Sequence, residues 1–294
     1  MCLNGDAGIY GSGELYWYGS EASKERFWCP CGEKITSCQF WTQVDETWKG
    51  VIGPAAASSH WGLKQRYEGP RFQGLGRTVF QRVWRSAAFE EYCRQNYWLL
   101  YAIAKTSGKS VIVDSSALPT RGLAYYKNPY VRLRSVHLVR DPRGVVRSMQ
   151  KALSTSQGVR GVGCNQSPRT GLRTAATWIG YNSLAEWTLC SLYKKPCITI
   201  RYEDLVRQPG ESLRAIGKRF GIELNDVAAK TEDCRAVYAS CCFGGNRARM
   251  NGSLHLSLDE AWREELTAIT KAATAVLTLP LLLRYGYSPF GGRR

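Results

Sequence analysis

The chain has 294 residues, 44% of them hydrophobic, and its 10 Trp, 16 Tyr and 8 Phe are ample for a packed core, which excludes a disordered tail. Its net charge of +16 is spread along the sequence; such a field attracts phosphate, sulfate or nucleic acid but does not specify a fold. No run of about 18 apolar residues suggests a membrane span, "MCLNGDAGIYGSG" lacks a signal pattern, and the 11 cysteines read as reduced thiols, so a cytoplasmic setting is expected.

Taken in chain order, the first glycines do not form G-x-G-x-x-G, because Tyr16 stands where the third glycine belongs. "WCPCGEKITSCQFW" holds Cys29, Cys31 and Cys38 with no nearby histidine; His60 or the pair Cys241 and Cys242 would have to complete a ligand set. The stretch is read as an aromatic-rich surface loop or lid, and no metal is expected. "GKS" at Gly108 to Ser110 is not a phosphate loop, because Ile103 occupies the first glycine position and helix precedes where strand should. It is a turn between the helix of "LYAIAKTS" and the buried-strand run Val111 to Val113, which ends at Asp114.

"RLRSVHLVRDPRGVVRSMQKAL" predicts a strand at Val136 to Val139, a turn, and a helix beginning at Pro142, a residue suited to a first helical position. A long helix through Trp178, Tyr181, Leu184 and Leu189 comes next, then the strand of "CITIRYED" and the amphipathic helix "GESLRAIGKRFGI". Strands alternating with helices imply parallel crossover units, and we expect a single three-layer α/β domain spanning residues 1–294. Sites in such sheets lie beyond the carboxyl ends of the strands, where Asp114, Arg140 and Tyr202 fall.

In "HLVRDPRGVVRSM" a helix N-terminus with free N–H groups meets Arg140, a forked donor matched to phosphate, and Ser148 lies two helical turns on. In isolation the segment also reads as an exposed helix start capped by Asp141. A second cluster, "GGNRAR" from Gly244 to Arg249, and the strand-end Tyr202 tip the reading towards a nucleotide phosphate site.

These residues resemble the sulfotransferases that use 3′-phosphoadenosine 5′-phosphosulfate (PAPS). "LVRDPRGVVRSM" is similar to their 3′-phosphate signature, "GKSVIVDSS" to their second strand, and "ITIRYEDLVRQPGESLRAIGKRFGI" to their Tyr-Glu-Asp strand and helix. "GGNRARM" resembles the Gly-Asn-x-x-Arg loop, "LDEAWREELTAIT" with "LLRYGY" the C-terminal helix, and "CPCGEKITSCQFW" a segment of bacterial-type members of the carbohydrate and tyrosylprotein sulfotransferase kind. The resemblance implies a P-loop-type sulfotransferase fold and in-line sulfuryl transfer to a hydroxyl or amine acceptor, with a saccharide among the candidates. It implies that Arg140 and Ser148 hold the 3′-phosphate, that Gly245, Asn246 and Arg249 close over it, and that Tyr202 lies against the adenine. No metal enters that chemistry, and neither oligomeric state nor acceptor is specified.

Two departures from the family pattern stand out. The first strand and the Pro-Arg-Ser-Gly-Thr-Thr loop for the 5′-phosphosulfate have no counterpart. Residues 1–20 resemble the family's segment after that loop and its helix, so an N-terminally truncated sequence is expected. Ala117 also replaces the lysine of Asp-Ser-Ser-Lys. For the base, the glutamate that tyrosylprotein sulfotransferases use shortly after the first helix points to Glu14, and strand-end logic offers Asp114. His137, inside a strand, reads as a packed core histidine. A non-catalytic nucleotide-binding remnant of the family is the alternative. Binding to nucleic acid or membrane is not expected, since no recognition helix, zinc finger or RNA-binding signature accompanies the charge.

Overall fold

The computed structural model describes residues 8–68, 86–154, 171–191, 196–232, 237–238, 240–244, 250, 253–254 and 256–290. In chain order the elements are β1 (Ile9–Gly13), α1 (Glu21–Arg26), α2 (Gln39–Ile52), α3 (Pro54–Glu68), α4 (Ala87–Ser107), β2 (Val111–Asp114), α5 (Pro119–Lys127), β3 (Ser135–Val139), α6 (Pro142–Ser154), α7 (Gly171–Ala185), β4 (Cys197–Arg201), α8 (Tyr202–Arg207), α9 (Pro209–Phe220), α10 (Asn225–Glu232), β5 (Val237–Tyr238), β6 (Ser253–Leu254), α11 (Trp262–Glu265) and α12 (Ala268–Arg284). Helices alternate with parallel strands, so the chain is α/β. None of the described helices is long and apolar enough to cross a membrane.

The chain divides into two compact units. The first comprises residues 1–134, 160–163 and 223–255. In it β1 pairs in parallel with β2, Ile9 opposite Val111 and Gly13 opposite Asp114, and β5 pairs antiparallel with β6. The β1 strand escapes sequence reading because three of its five residues are Gly or Ser, which carry little strand signal. β2 forms where expected, although its residues are half-buried rather than buried.

Helix α2 places Trp41, Val44, Trp48 and Ile52 at helical spacing on one buried face, and it packs on α4 through Leu99, Ala102 and Ile103. Ser86 caps α4, its hydroxyl accepting from the Phe89 N–H at 3.2 Å, and Gly108 ends the helix in the left-handed conformation. The segment expected to be a surface loop or lid belongs partly to this core: Phe27, Cys29, Ile35, Cys38 and Trp41 are all buried in it. The inward residues are irregularly spaced, with Cys31 to Lys34 exposed between Cys29 and Ile35, so the stretch has no period for a sequence reading to detect.

The second unit comprises residues 135–159, 164–222 and 256–294. Here β3 pairs in parallel with β4, in a register running from Ser135 opposite Cys197 to Val139 opposite Arg201. Val139, Trp178, Ala275, Leu282 and Tyr287 form its core, joining β3 to α7 and α12. Trp178 and Tyr181 lie in α7, which passes into a π-helical turn at Glu186–Ser191. Cys190 and Cys197 are joined by a disulfide, against the expectation of reduced thiols throughout. Their Cα atoms stand 5.2 Å apart, within the range a disulfide spans.

Candidate active site and nucleotide-binding residues

The register of β3 and β4 decides what stands at their carboxyl end. Because Val139 lies opposite Arg201, the next residues, Arg140 and Tyr202, emerge side by side. The Arg140 guanidinium carbon sits 4.8 Å from the centroid of the Tyr202 ring, a cation–π arrangement. Trp178 Nε1 donates to the Arg140 carbonyl at 3.0 Å and fixes the backbone at the turn.

Helix α6 begins at Pro142, as expected. Asp141 caps its first turn, accepting from the Arg143 N–H at 2.9 Å, and its carboxylate also takes Arg143 Nη2 at 2.7 Å. Arg143 is buried and spends its other donors on the Pro289 and Ser288 carbonyls, so it is a structural arginine. The cap at Asp141 and the strand-end Arg140 thus coexist in one segment.

Arg140 folds across the helix start at Gly144, where a Cβ would lie 3.1 Å from Arg140 Nε. Ser148 is one turn below Gly144 on the same helix face, and helical side chains lean back towards the N-terminus. Arg140 Nη2 donates to the carboxylate and carbonyl of Asp259, at 3.0 and 3.1 Å. Arg147 pairs with Glu265 at 2.6 Å and with Asp259 at 3.2 Å. Burial works against charge on Asp259, but Arg140 and Arg147 outweigh it and hold the carboxyl below its usual range. Two carboxylates therefore balance two arginines.

In the first unit, Gly13 and Asp114 are register partners, so Glu14 and Asp114 both stand at the carboxyl end of β1–β2. The Glu14 N–H donates to the Phe243 carbonyl at 2.6 Å, and Trp17 Nε1 donates to Glu14 Oε2 at 3.1 Å. The approach of the chains requires glycine at position 13: φ is +81°, and a Cβ would lie 2.5 Å from the Phe243 carbonyl oxygen.

Asp114 is fully engaged. It accepts Arg121 Nε at 2.6 Å, Ser116 Oγ at 2.6 Å and the N–H groups of Ser116 and Leu15 at 3.0 and 3.3 Å. Burial opposes its charge, but Arg121 and Ser116 prevail and keep the carboxyl below the usual aspartate range. Such a group is a poor base and a good anchor.

Arg121 also pairs with Glu68, which accepts the Tyr92 hydroxyl at 2.6 Å, and Arg121 and Glu68 are both buried. Lys64, fully buried, donates to the Leu15 and Tyr18 carbonyls that come after Glu14; burial and the nearby Arg121 bring its pKa down to about 7. His60 does not approach the cysteines of 29–38; its Nδ1 meets Gln95 Oε1 at 2.9 Å. His137 is packed in the second unit's interior, with Nε2 2.9 Å from Asn182 Oδ1.

Sequence reasoning misses Arg121, Glu68 and Lys64. The one signal for them is charge at helix positions flanked by residues bound for the core, as in "TRGLAYY". Gly245, Asn246 and Arg249 lie outside the described residues, while Gly244 begins their loop beside Glu14 and Trp17.

A sequence profile of the sulfotransferase family matches residues 56–226, more than half of the chain, and the matched span holds Asp114, Arg140, Ser148 and Tyr202. Among solved structures, a "Sulfotransferase Domain from the Curacin Biosynthetic Pathway" is similar at 18% identity and a TM-score of 0.42, over 76% of this chain and 81% of that one. No curated protein sequence matches. With more than half of its length matching that family, the chain belongs to the sulfotransferases, transferase enzymes that move a sulfuryl group.

Proposed function

We propose that the protein transfers the sulfuryl group of PAPS to a hydroxyl or amine acceptor. The observation that carries this reading is the placement of Arg140 and Tyr202 at the ends of adjacent parallel strands, with Ser148 on the helix face that Arg140 crosses. An arginine fork, a hydroxyl and a helix N-terminus suit a dianionic phosphate, and the Tyr202 ring suits the adenine beside it. Gly245, Asn246 and Arg249 are assigned to the loop over that phosphate.

In this reading Glu14 is the base and Asp114, held by Arg121, positions the strand ends around it. The Glu14 carboxylate takes the proton of the acceptor hydroxyl as its oxygen attacks sulfur. The bond from sulfur to the 5′-phosphate oxygen breaks in line, and 3′-phosphoadenosine 5′-phosphate leaves with that electron pair. No residue of this sequence is assigned to the transferred sulfate.

The test is titration with 3′-phosphoadenosine 5′-phosphate against AMP, for the unaltered protein and for Arg140→Ala. Saturable binding of the first, much weaker binding of the second, and loss of the difference in the variant are expected. Equal affinity for the two nucleotides would remove the 3′-phosphate assignment and the proposed donor with it.

A further inference from the structure

Three residues of the segment expected to be a loop or lid bring their thiols to one point, and a fourth joins them from roughly 200 residues further along the chain. The sulfur atoms of Cys29, Cys31, Cys38 and Cys241 all lie within 4.8 Å of one another. Cys38 Sγ is 3.5 Å from that of Cys29 and 3.6 Å from that of Cys31. Four sulfurs arranged tetrahedrally around zinc, with bonds of about 2.3 Å, stand roughly 3.8 Å apart. The observed spacing is that of a ligand shell, and all four cysteines are free thiols rather than disulfide partners.

The backbone shows why these four converge. Trp28 and Lys34 form an antiparallel bridge, the Cys29 N–H donates to the Glu33 carbonyl at 2.8 Å, and the Gly32 N–H returns to the Cys29 carbonyl at 3.0 Å. Gly32 closes this turn at φ +95°, so Cys29 and Cys31 are presented together. Cys38 is the N-cap residue of α2, where the helix dipole favours a thiolate. Cys241 runs beside β1: its carbonyl accepts the Tyr10 hydroxyl, Ser240 Oγ donates to the Gly11 carbonyl at 3.3 Å, and the Phe243 N–H donates to the Ser12 carbonyl at 2.8 Å.

The surroundings suit a metal as well. Backbone N–H groups of Cys31, Trp41 and Cys241 approach the sulfurs of Cys29, Cys38 and Cys241 respectively, the kind of contact that orients metal-bound sulfur. Cys29 and Cys38 are buried among Phe27, Ile35, Trp41 and Phe243, while Cys31 is exposed and gives an ion its way in.

We propose that Cys29, Cys31, Cys38 and Cys241 form a structural tetrathiolate site for one zinc ion, where the sequence reading expects no metal. Four protein ligands leave no open coordination position, so the ion holds structure rather than activating water. Its thiol protons pass to solvent on binding. The site clamps the turn after α1, the start of α2 and the strand-like segment at Cys241, whose near neighbour Phe243 accepts the Glu14 N–H at its carbonyl. It stands on these four residues alone and does not depend on the nucleotide reading.

The test is the metal content of the full chain purified without chelator, by mass spectrometry of the elements and of the intact folded protein. About one zinc per chain is expected, lost in Cys31→Ser and Cys241→Ser and retained in Cys242→Ser. Cobalt substituted for the zinc should show the intense visible absorption of tetrahedral thiolate cobalt, and the same two variants should lose it. Cys31 is exposed, so its serine variant leaves the core intact, and the zinc content of the unaltered chain is informative whatever the variants do. Four thiols that react with a thiol reagent in a zinc-free folded chain would overturn the proposal. So would an iron–sulfur chromophore, a disulfide among the four, or zinc retained in both ligand variants.

Discussion

The two parallel strand pairs carry charge at the same topological place, the carboxyl end, but handle it differently. At the end of β1–β2 the ions are enclosed: Asp114, Arg121 and Glu68 satisfy one another, with Ser116, Tyr92 and Tyr125 filling the remaining positions. At the end of β3–β4 the Arg140 side chain is 22% exposed, and its partner Asp259 is 35% exposed. A buried network of this kind fixes geometry, because removing one member strands the others in low dielectric. An exposed pair is held weakly and can trade its carboxylate for a better anion. The first end is closed by its own partners, and the second stays open to solvent.

The largest break in this comparison should come from Arg121→Met. It leaves Glu68 and Asp114 without their cation, and we expect a stability loss of about 3–5 kcal/mol, read from the midpoint of urea unfolding. A loss below about 1 kcal/mol would mean that the enclosed ions are not coupled. Gly13→Ala forces a Cβ onto the Phe243 carbonyl at positive φ, and should cost at least about 2 kcal/mol by the same measurement.

Arg140→Ala should do the reverse, leaving the urea midpoint nearly unchanged while weakening 3′-phosphoadenosine 5′-phosphate by roughly 10- to 150-fold, the worth of about 1.5–3 kcal/mol for hydrogen bonds to a charged group. Asp259→Asn, by removing the competing carboxylate, should tighten that nucleotide in the same titration; weaker binding would show that Asp259 positions Arg140 instead.

Acid sharpens the contrast further. Burial holds both His60 and His137 neutral, with pKa values below the usual 6.5. The unfolded chain takes up those protons first, so stability should fall as pH drops below about 6.5, by up to about 1.4 kcal/mol per pH unit for each histidine until its folded pKa is reached. Unfolding midpoints at pH 7.5 and 5.5 test this, and His60→Gln should flatten the dependence. The smallest effect is Ser148→Ala, a single neutral donor worth about 1 kcal/mol or fivefold in nucleotide affinity.

Much of the second unit is legible in the sequence. The strand before Arg140, the helix from Pro142, the strand before Tyr202 and the cap at Asp141 all depend on neighbours within a few residues. Turn chemistry, proline placement and hydrophobic period report such neighbours directly. The first unit is less legible. β1 has too few strand-forming side chains to announce itself, and the Asp114–Arg121–Glu68 network joins residues from β2, α5 and α3. The loop around Cys29 looks exposed in sequence because its inward residues follow no regular period and are separated by exposed stretches such as Cys31 to Lys34.

By itself, then, the sequence determined the order of strands and helices and the charges that end them, together with the motifs that carry the family. It could place Arg140 and Tyr202 because residues at strand ends need only the strand to be found, while Ser148 stands out through its spacing from Arg140 in the family motif. Tertiary structure decided which side chains became partners: that Asp114 is spent on Arg121, that Asp259 meets Arg140, and that Cys241 meets three thiols near residue 30. Those pairings depend on strand register and on contacts across long stretches of chain, whose closure entropy is overcome only by the packed core as a whole.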